Sequence, residues 1–451
     1  MILGVPKSLA VRLSWTTVGY GFVLTLRLVN SVLLARLLAP QILGVMAIVN
    51  TLRVGIELLS DVGILQNIVS NPRGSEPDFY DTAWTLQALR GIALSLVCLA
   101  VAAPLSRFFN YPELAAILPV ASLFFIFTGF DSTARGLIQK DLQVGRLAVF
   151  EILVTAVQVI AQVGIALITR TVWALVLGTV VGGAVTLIMS FLYIPGQRHR
   201  FMIDRTVARE LMTFGKWIFL SSLVFFFAMN FDRLYFAKQI SLAQLGVYGV
   251  ARGLAEMCSA FIIRCSNSVL FPTIAAANLP PVQLRAKILR GRRTLLAAAA
   301  IAIGGFLALA PAIVSLLYDP RYREAAEIVQ ILCVGLWFST LAQTNDSILL
   351  GLARPVYPAL SNVAKLVAYC VGVPLAFHFS GFIAAVAVIS GGELVKYVAL
   401  WMLSHKEHLR FGRDDLMLTV IFAGTALLAS EVAHSVGLPG DLPLLLRVVG
   451  L

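Results

Sequence analysis

The chain has 451 residues, 59% of them hydrophobic and only 13% charged, with a formal net charge of +12 and a mean hydropathy of +0.89. A soluble chain of this size has no core large enough for so much apolar surface, so an ordinary globular enzyme is excluded and a protein of the bilayer is implied. Five cysteines without a CxxC pair argue against a disulfide framework, and no GxxxxGK[ST] loop points to an ATP-driven pump.

Apolar runs of roughly 20 residues, enough to cross a hydrocarbon core of ~30 Å, follow one another along the chain. Spans are predicted at 11–34, 42–66, 84–106, 114–134, 147–168, 172–194 and 213–231, then at 243–271, 294–317, 325–350, 357–378, 380–402 and 416–436. An apolar stub, Leu442 to Leu451, follows as a fragment of a fourteenth. Backbone polar groups in lipid must be satisfied within the segment, so these runs are helices. The first run is too long for a signal peptide, and a similar span follows it almost at once.

With Met1 in the cytoplasm, twenty Lys and Arg fall on the cytoplasmic side and seven on the other. That bias sets the orientation, and the net charge is mostly a topology signal. The richest cytoplasmic loops are 195–213 and 280–293, where anionic lipid headgroups are better partners than nucleic acid. His405 and His408 sit in one such charged loop and read as solvated, while His199, His378 and His434 are isolated. No metal site or cofactor is expected. The outer loops are short, which argues against a membrane-embedded sugar transferase or polymerase.

The chain repeats itself. Ala35, Leu43, Gly44, Val45 and Leu52 return as Ala237, Leu245, Gly246, Val247 and Leu254 at one offset of 202. Asp131-Ser132 with Gly136-Leu137 returns as Asp346-Ser347 with Gly351-Leu352, at 215. Two copies of one unit in a membrane protein suggest a transporter with its site between the halves. The expected division is an N-terminal six-helix lobe over 1–200, a C-terminal six-helix lobe over 201–405, and an extra helix with the stub over 406–451.

Charges inside the spans carry the functional information, because each costs about 2.5–3.5 kcal/mol at a helix centre. Glu393 and Lys396, Arg252 and Glu256, and Arg53 and Glu57 are spaced to pair on one helix face. Arg90 and Glu151 lie near the cytoplasmic side and can snorkel. Arg27, Arg53 and Arg252 lie deeper, and a cavity with a positive lining would solvate all three. Such a cavity attracts anions, and phosphate suits a guanidinium fork. Gly178 and Gly182 form a GxxxG that reads as helix contact.

The run LLARLLAPQILGVMAIVNTLRVGIELLSDVGI resembles the opening signature of bacterial polysaccharide exporters, as does QKDLQVGRLAVFEI after the fourth span. The family is the polysaccharide transporter branch of the multidrug/oligosaccharidyl-lipid/polysaccharide flippase superfamily. The resemblance implies an all-α membrane protein with two pseudo-symmetric six-helix lobes around a central cavity, often with two further C-terminal helices. Here the chain ends at Leu451, where a fourteenth helix has barely begun. It also implies a monomeric flippase of the bacterial inner membrane, working by alternating access beside a polysaccharide polymerase and export machinery. Its cargo would be undecaprenyl-diphosphate-linked oligosaccharide units. Arg27, Arg53 and Arg252 would bind the diphosphate, matched to the family by helix. Asp61, Asp131, Asp232 and Asp346 are candidates for coupling to a proton or sodium ion. The rival readings are a cation-coupled multidrug exporter of the same superfamily, a sugar transferase or polymerase, and an assembly scaffold. An acid-dominated cavity would favour the exporter and a large catalytic outer loop the enzyme.

Overall fold

The computed structural model describes residues 7–60, 63–141, 143–193, 199–275, 281–352, 354, 356–406 and 411–437. Among them there are helices and no strands. The chain divides into two compact units, Met1–Phe226 with Arg233–Leu245, and Phe227–Asp232 with Gly246–Leu451.

Unit 1 holds α1 (Lys7–Leu37), α2 (Pro40–Leu58), the short α3 (Ile64–Ser70), α4 (Pro77–Phe108), α5 (Leu114–Gly129), the short α6 (Ala134–Lys140), α7 (Val144–Thr169) and α8 (Val172–Leu192). The next helix, α9 (Arg205–Gln239), gives most of its length to unit 1 and residues 227–232 to unit 2. Unit 2 continues with most of α10 (Leu242–Ala275), then α11 (Pro281–Leu317), α12 (Glu324–Gly351), α13 (Val356–Lys406) and α14 (Gly412–Ser435).

Nine helices among the described residues are long and apolar enough to cross a membrane, or ten if the bent pair α5 and α6 is one span. Large apolar side chains such as Ile168, Leu192 and Phe379 lie exposed on their outer faces, as lipid contact requires. The protein is a multi-pass membrane protein. The predicted spans 213–231 and 243–271 lie within α9 and α10, long helices that carry charges such as Asp232 and Arg252 and are not among the nine. The two spans predicted at 357–378 and 380–402 are joined without a loop in α13. Gly381, at φ +81°, breaks the helix there, a conformation open to glycine and strained for other residues.

The repeat is visible in the helix boundaries. α1 ends at 37 and α2 starts at 40, while α9 ends at 239 and α10 starts at 242. Pro40 opens α2, where its missing N–H costs nothing. The second echo diverges. Asp131 lies in a break between α5 and α6, bent by 56°, whereas Asp346 lies inside the continuous α12.

Small and polar residues hold helices together where lipid gives no hydrophobic drive. α4 crosses α5 at Gly91 and Gly129, where a Cβ on Gly91 would lie 2.5 Å from the Phe125 carbonyl oxygen. Ser95 and Ser122 share a buried hydrogen bond of 2.9 Å across the same pair. The basic segment expected as a cytoplasmic loop at 280–293 is instead the start of α11, and Arg292 there is fully buried. Its charge is neutralised by Asp415 at the start of α14, 2.5 Å away, and its guanidinium lies over Phe411. Trp337 stacks on Phe422 and donates to Thr419, so α14 is packed into unit 2 as one of its own helices.

Candidate functional site

Unit 1 forms an open cavity of about 530 Å³ lined by residues of α1 to α8. Two of the predicted site residues, Arg27 and Asp131, line it. Arg27 is exposed and makes no hydrogen bond or ion pair with another described residue. Asp131 is 6% exposed and pairs with Arg135 through Oδ2 at 2.9 Å, leaving its buried Oδ1 without a partner. Arg53 stands behind the wall. It reaches Glu57 at 3.6 Å and lies over the Phe124 ring at 4.4 Å, and both of those residues line the cavity. Asp61 lies outside the described residues.

Other lining residues were passed over in the sequence. Arg90 and Glu151, read there as snorkelling, both face the cavity. Arg90 donates to the Ser60 hydroxyl and the Glu57 carbonyl, while Glu151 is exposed with no partner among described residues. Gln87 closes the broken end of α5 by donating to the carbonyls of Thr128, Gly129 and Asp131. The α5 carbonyls left open by the break are thus satisfied by a side chain.

The walls formed by α1, α7 and α8 are set by two glutamines. Gly19 on α1 meets Ala148 on α7, and further along Asn30 donates to Gln162 at 2.7 Å. The two helices therefore run side by side in one direction, with Arg27 at the level of Gln158. Gly178 and Gly182 on α8 face these glutamines. A Cβ on Gly178 would lie 2.1 Å from Gln162 Cγ, and one on Gly182 would lie 2.9 Å from the Gln158 amide carbon. The GxxxG is a helix contact, as its spacing suggests, and its purpose is to admit two polar side chains. Gln162 is satisfied within the wall by Asn30, the Leu175 carbonyl and Thr179, whereas Gln158 has no partner among described residues.

A strap closes one side of unit 1. Residues 200, 202 and 204 donate their backbone N–H groups to Asp81, Thr85 and Thr82 on α4. His199 stacks on Tyr80 and Trp84, with centroids 4.7 and 4.9 Å away, and its Nε2 lies 2.9 Å from the Ser132 hydroxyl. Burial among these rings pushes the imidazole pKa down to about 4, against a smaller upward pull from Asp81. His199 is thus not isolated; the rings stacked on it come from α4, far away in sequence, and Phe191 of α8 meets it edge-on.

In unit 2 the predicted residues pair with one another. Arg252 lies 3.3 Å from Asp232 and 3.1 Å from Glu256, and Tyr248 donates to Asp232. Glu393 and Lys396 do not form the pair that their spacing suggests. Lys365 takes Glu393 at 2.5 Å, and Lys396 takes Asp346 at 2.9 Å. Both lysines are buried, and partners across the helix packing neutralise them better than a neighbour on the same helix. Among the described residues, no group of three or more His, Cys, Asp or Glu could hold a metal ion.

A family model described as Polysaccharide biosynthesis protein matches residues 33–327. The lipopolysaccharide biosynthesis protein WzxC of Escherichia coli (strain K12) is 23% identical over 397 residues, 85% of this chain and 77% of that protein. Among solved structures, the lipid II flippase MurJ in an inward closed conformation matches with a TM-score of 0.74 at 13% identity, covering 93% of this chain and 98% of that one. An inward-facing MATE family multidrug resistance transporter of the MOP superfamily matches with a TM-score of 0.70 at 14% identity, covering 92% and 98%. At these identities the structures share a fold with this chain.

Proposed function

The chain belongs to the polysaccharide biosynthesis protein family, and on that premise we propose that it moves lipid-diphosphate-linked oligosaccharide units across the bacterial inner membrane. The observation that carries this reading is the union of that family with the fold of a lipid flippase over nearly the whole chain. The related WzxC is named for lipopolysaccharide biosynthesis, which fits a sugar-bearing lipid as cargo. The N-terminus is cytoplasmic in this account, as the distribution of Lys and Arg suggests. The two-copy architecture suits alternating access, with sugar and diphosphate carried through protein and the lipid tail left in the bilayer.

Arg27 is the candidate best placed for the diphosphate, since its guanidinium lines a cavity and has no competing carboxylate among described residues. A planar fork of donors suits phosphate oxygens. Arg252 is held by Asp232 and Glu256, so its part in binding would require those pairs to open. Among the candidates for ion coupling, Asp131 lies at the same cavity and keeps a buried Oδ1 without a partner among the described residues, which suits it to carry a proton. Deleting the gene tests the transport reading. Surface polysaccharide is expected to disappear while the lipid-linked unit accumulates in the cytoplasmic leaflet. Normal surface polysaccharide in the deletion strain would overturn it.

A further inference from the structure

The cavity of unit 1 holds more hydrogen-bonding capacity than its own ion pairs consume. Arg90 is committed to Ser60 and Glu57, and Arg135 to Asp131. What stays open among the described residues is Arg27 with two acceptors, Glu151 and Gln158, while Asp131 Oδ1, Thr133 Oγ1 and Arg135 Nε lack partners but are buried in the wall. Asp131 and Thr133 are nearly fully buried, so an acceptor left without a donor there carries a desolvation cost.

A phosphate on Arg27 leaves Glu151 and Gln158 without donors, since its oxygens accept. A bare cation would meet Arg27. A polyol suits both, because each hydroxyl donates to a carboxylate or amide oxygen without adding charge. Tyr20 lines the same space and supplies an aromatic surface for the C–H groups of a sugar ring, while Phe150 is buried beneath the Arg135 guanidinium. The volume of about 530 Å³ lies inside the range of small-molecule sites, roughly 300–1,000 Å³. Gly182 keeps the Gln158 amide beside the cavity, since a Cβ there would meet its Oε1 at 3.0 Å.

We infer that the cavity inside unit 1 is a carbohydrate subsite, in which Glu151 and Gln158 accept hydrogen bonds from the hydroxyls of a sugar ring while Arg27 takes the phosphate next to it. The inference rests on the reading of the chain as a carrier of lipid-linked sugars, and adds that the sugar is recognised within one unit. Glu151 and Gln158 are then specificity-determining residues.

The test uses the full chain in nanodiscs of neutral lipid and saturation-transfer NMR. The probe is the mixture of free oligosaccharides that mild acid releases from the surface polysaccharide of the source organism, which carries neither lipid nor phosphate. Sugar ring protons are expected to receive saturation from the wild-type protein. Binding should weaken about tenfold in Glu151→Gln, as the charged acceptor becomes a neutral amide oxygen and the bond loses its charge assistance. It should weaken again in Glu151→Gln with Gln158→Leu, and persist in Arg27→Ala because the probe has no phosphate. Glu151→Gln is isosteric at an exposed position without partners among the described residues, so folding does not confuse the result. No sugar signal with the wild type, or an unchanged signal in the double variant, would overturn the subsite. A signal that behaves as expected, beside normal polysaccharide in the deletion strain, would support the subsite and count against the transport reading alone.

Discussion

In unit 1, Arg27, Glu151 and Gln158 face a cavity without partners among the described residues, whereas in unit 2 Arg252, Lys365, Lys396 and Arg292 each hold a carboxylate. Unit 1 also has ion pairs, Arg53 with Glu57 and Arg135 with Asp131, so the difference lies in the three groups at its cavity. The charges of unit 2 named here are neutralised within the packing, which cements helices, while the three groups of unit 1 border a space and are the ones proposed to meet a ligand. The break at Asp131 and the unbroken helix at Asp346 show the same divergence at equivalent positions.

The largest expected effect falls on unit 2. Asp415→Ala strands the fully buried Arg292 and removes the acceptor of the Tyr397 hydroxyl. Removing one partner of a buried pair costs about 3–5 kcal/mol. A large drop in the unfolding temperature of purified protein is expected, and an unchanged value would break the contrast between the units. Gly178→Ala comes next. The added Cβ must displace Gln162 from both Asn30 and Thr179, and overpacking of this kind costs about 1–3 kcal/mol. Thermal unfolding should show the loss, and Gly305→Ala, which meets open space, should not.

A smaller effect is set by pH at the strap. The unfolded imidazole takes its proton near 6.5 and the folded one near 4, so between these values the unfolded chain binds more protons. Stability is therefore complete above about pH 6.5 and falls as pH drops toward 4. Unfolding temperatures measured across that interval should decline in the wild type and decline less in His199→Phe. Equal slopes would remove His199 from the account.

Much of the architecture was legible because bilayer thickness dictates long apolar runs, and α8 at 172–192 falls where the run 172–194 predicts it. The repeat was legible because the α1–α2 and α9–α10 corners kept their residues. The charged start of α11 was not, since Arg292 resembles a loop cation until Asp415 is brought to it by packing from 123 positions away. The cavity was half legible. Its charges stood out against an apolar background, but Gln87, Gln158 and Thr133 carry no charge, and glycines that make room for an amide look like glycines that make room for a helix. The pairing of Lys365 with Glu393 was hidden for a similar reason, because Lys396 offered a nearer partner along the helix.

The central claim is that unit 1 binds the cargo through groups the fold does not need, and Arg27 isolates it. Arg27→Ala should change the stability by no more than about 0.5 kcal/mol, as for surface substitutions away from packing, and leave the unfolding temperature nearly unchanged. The decisive measurement is cell-surface polysaccharide in a deletion strain complemented with wild type, Arg27→Ala or Arg27→Lys, at membrane levels matched by blot. The account predicts no polysaccharide with Arg27→Ala and a reduced amount with Arg27→Lys, because an ammonium still attracts phosphate but lacks the fork. Full polysaccharide from a well-expressed Arg27→Ala would contradict it.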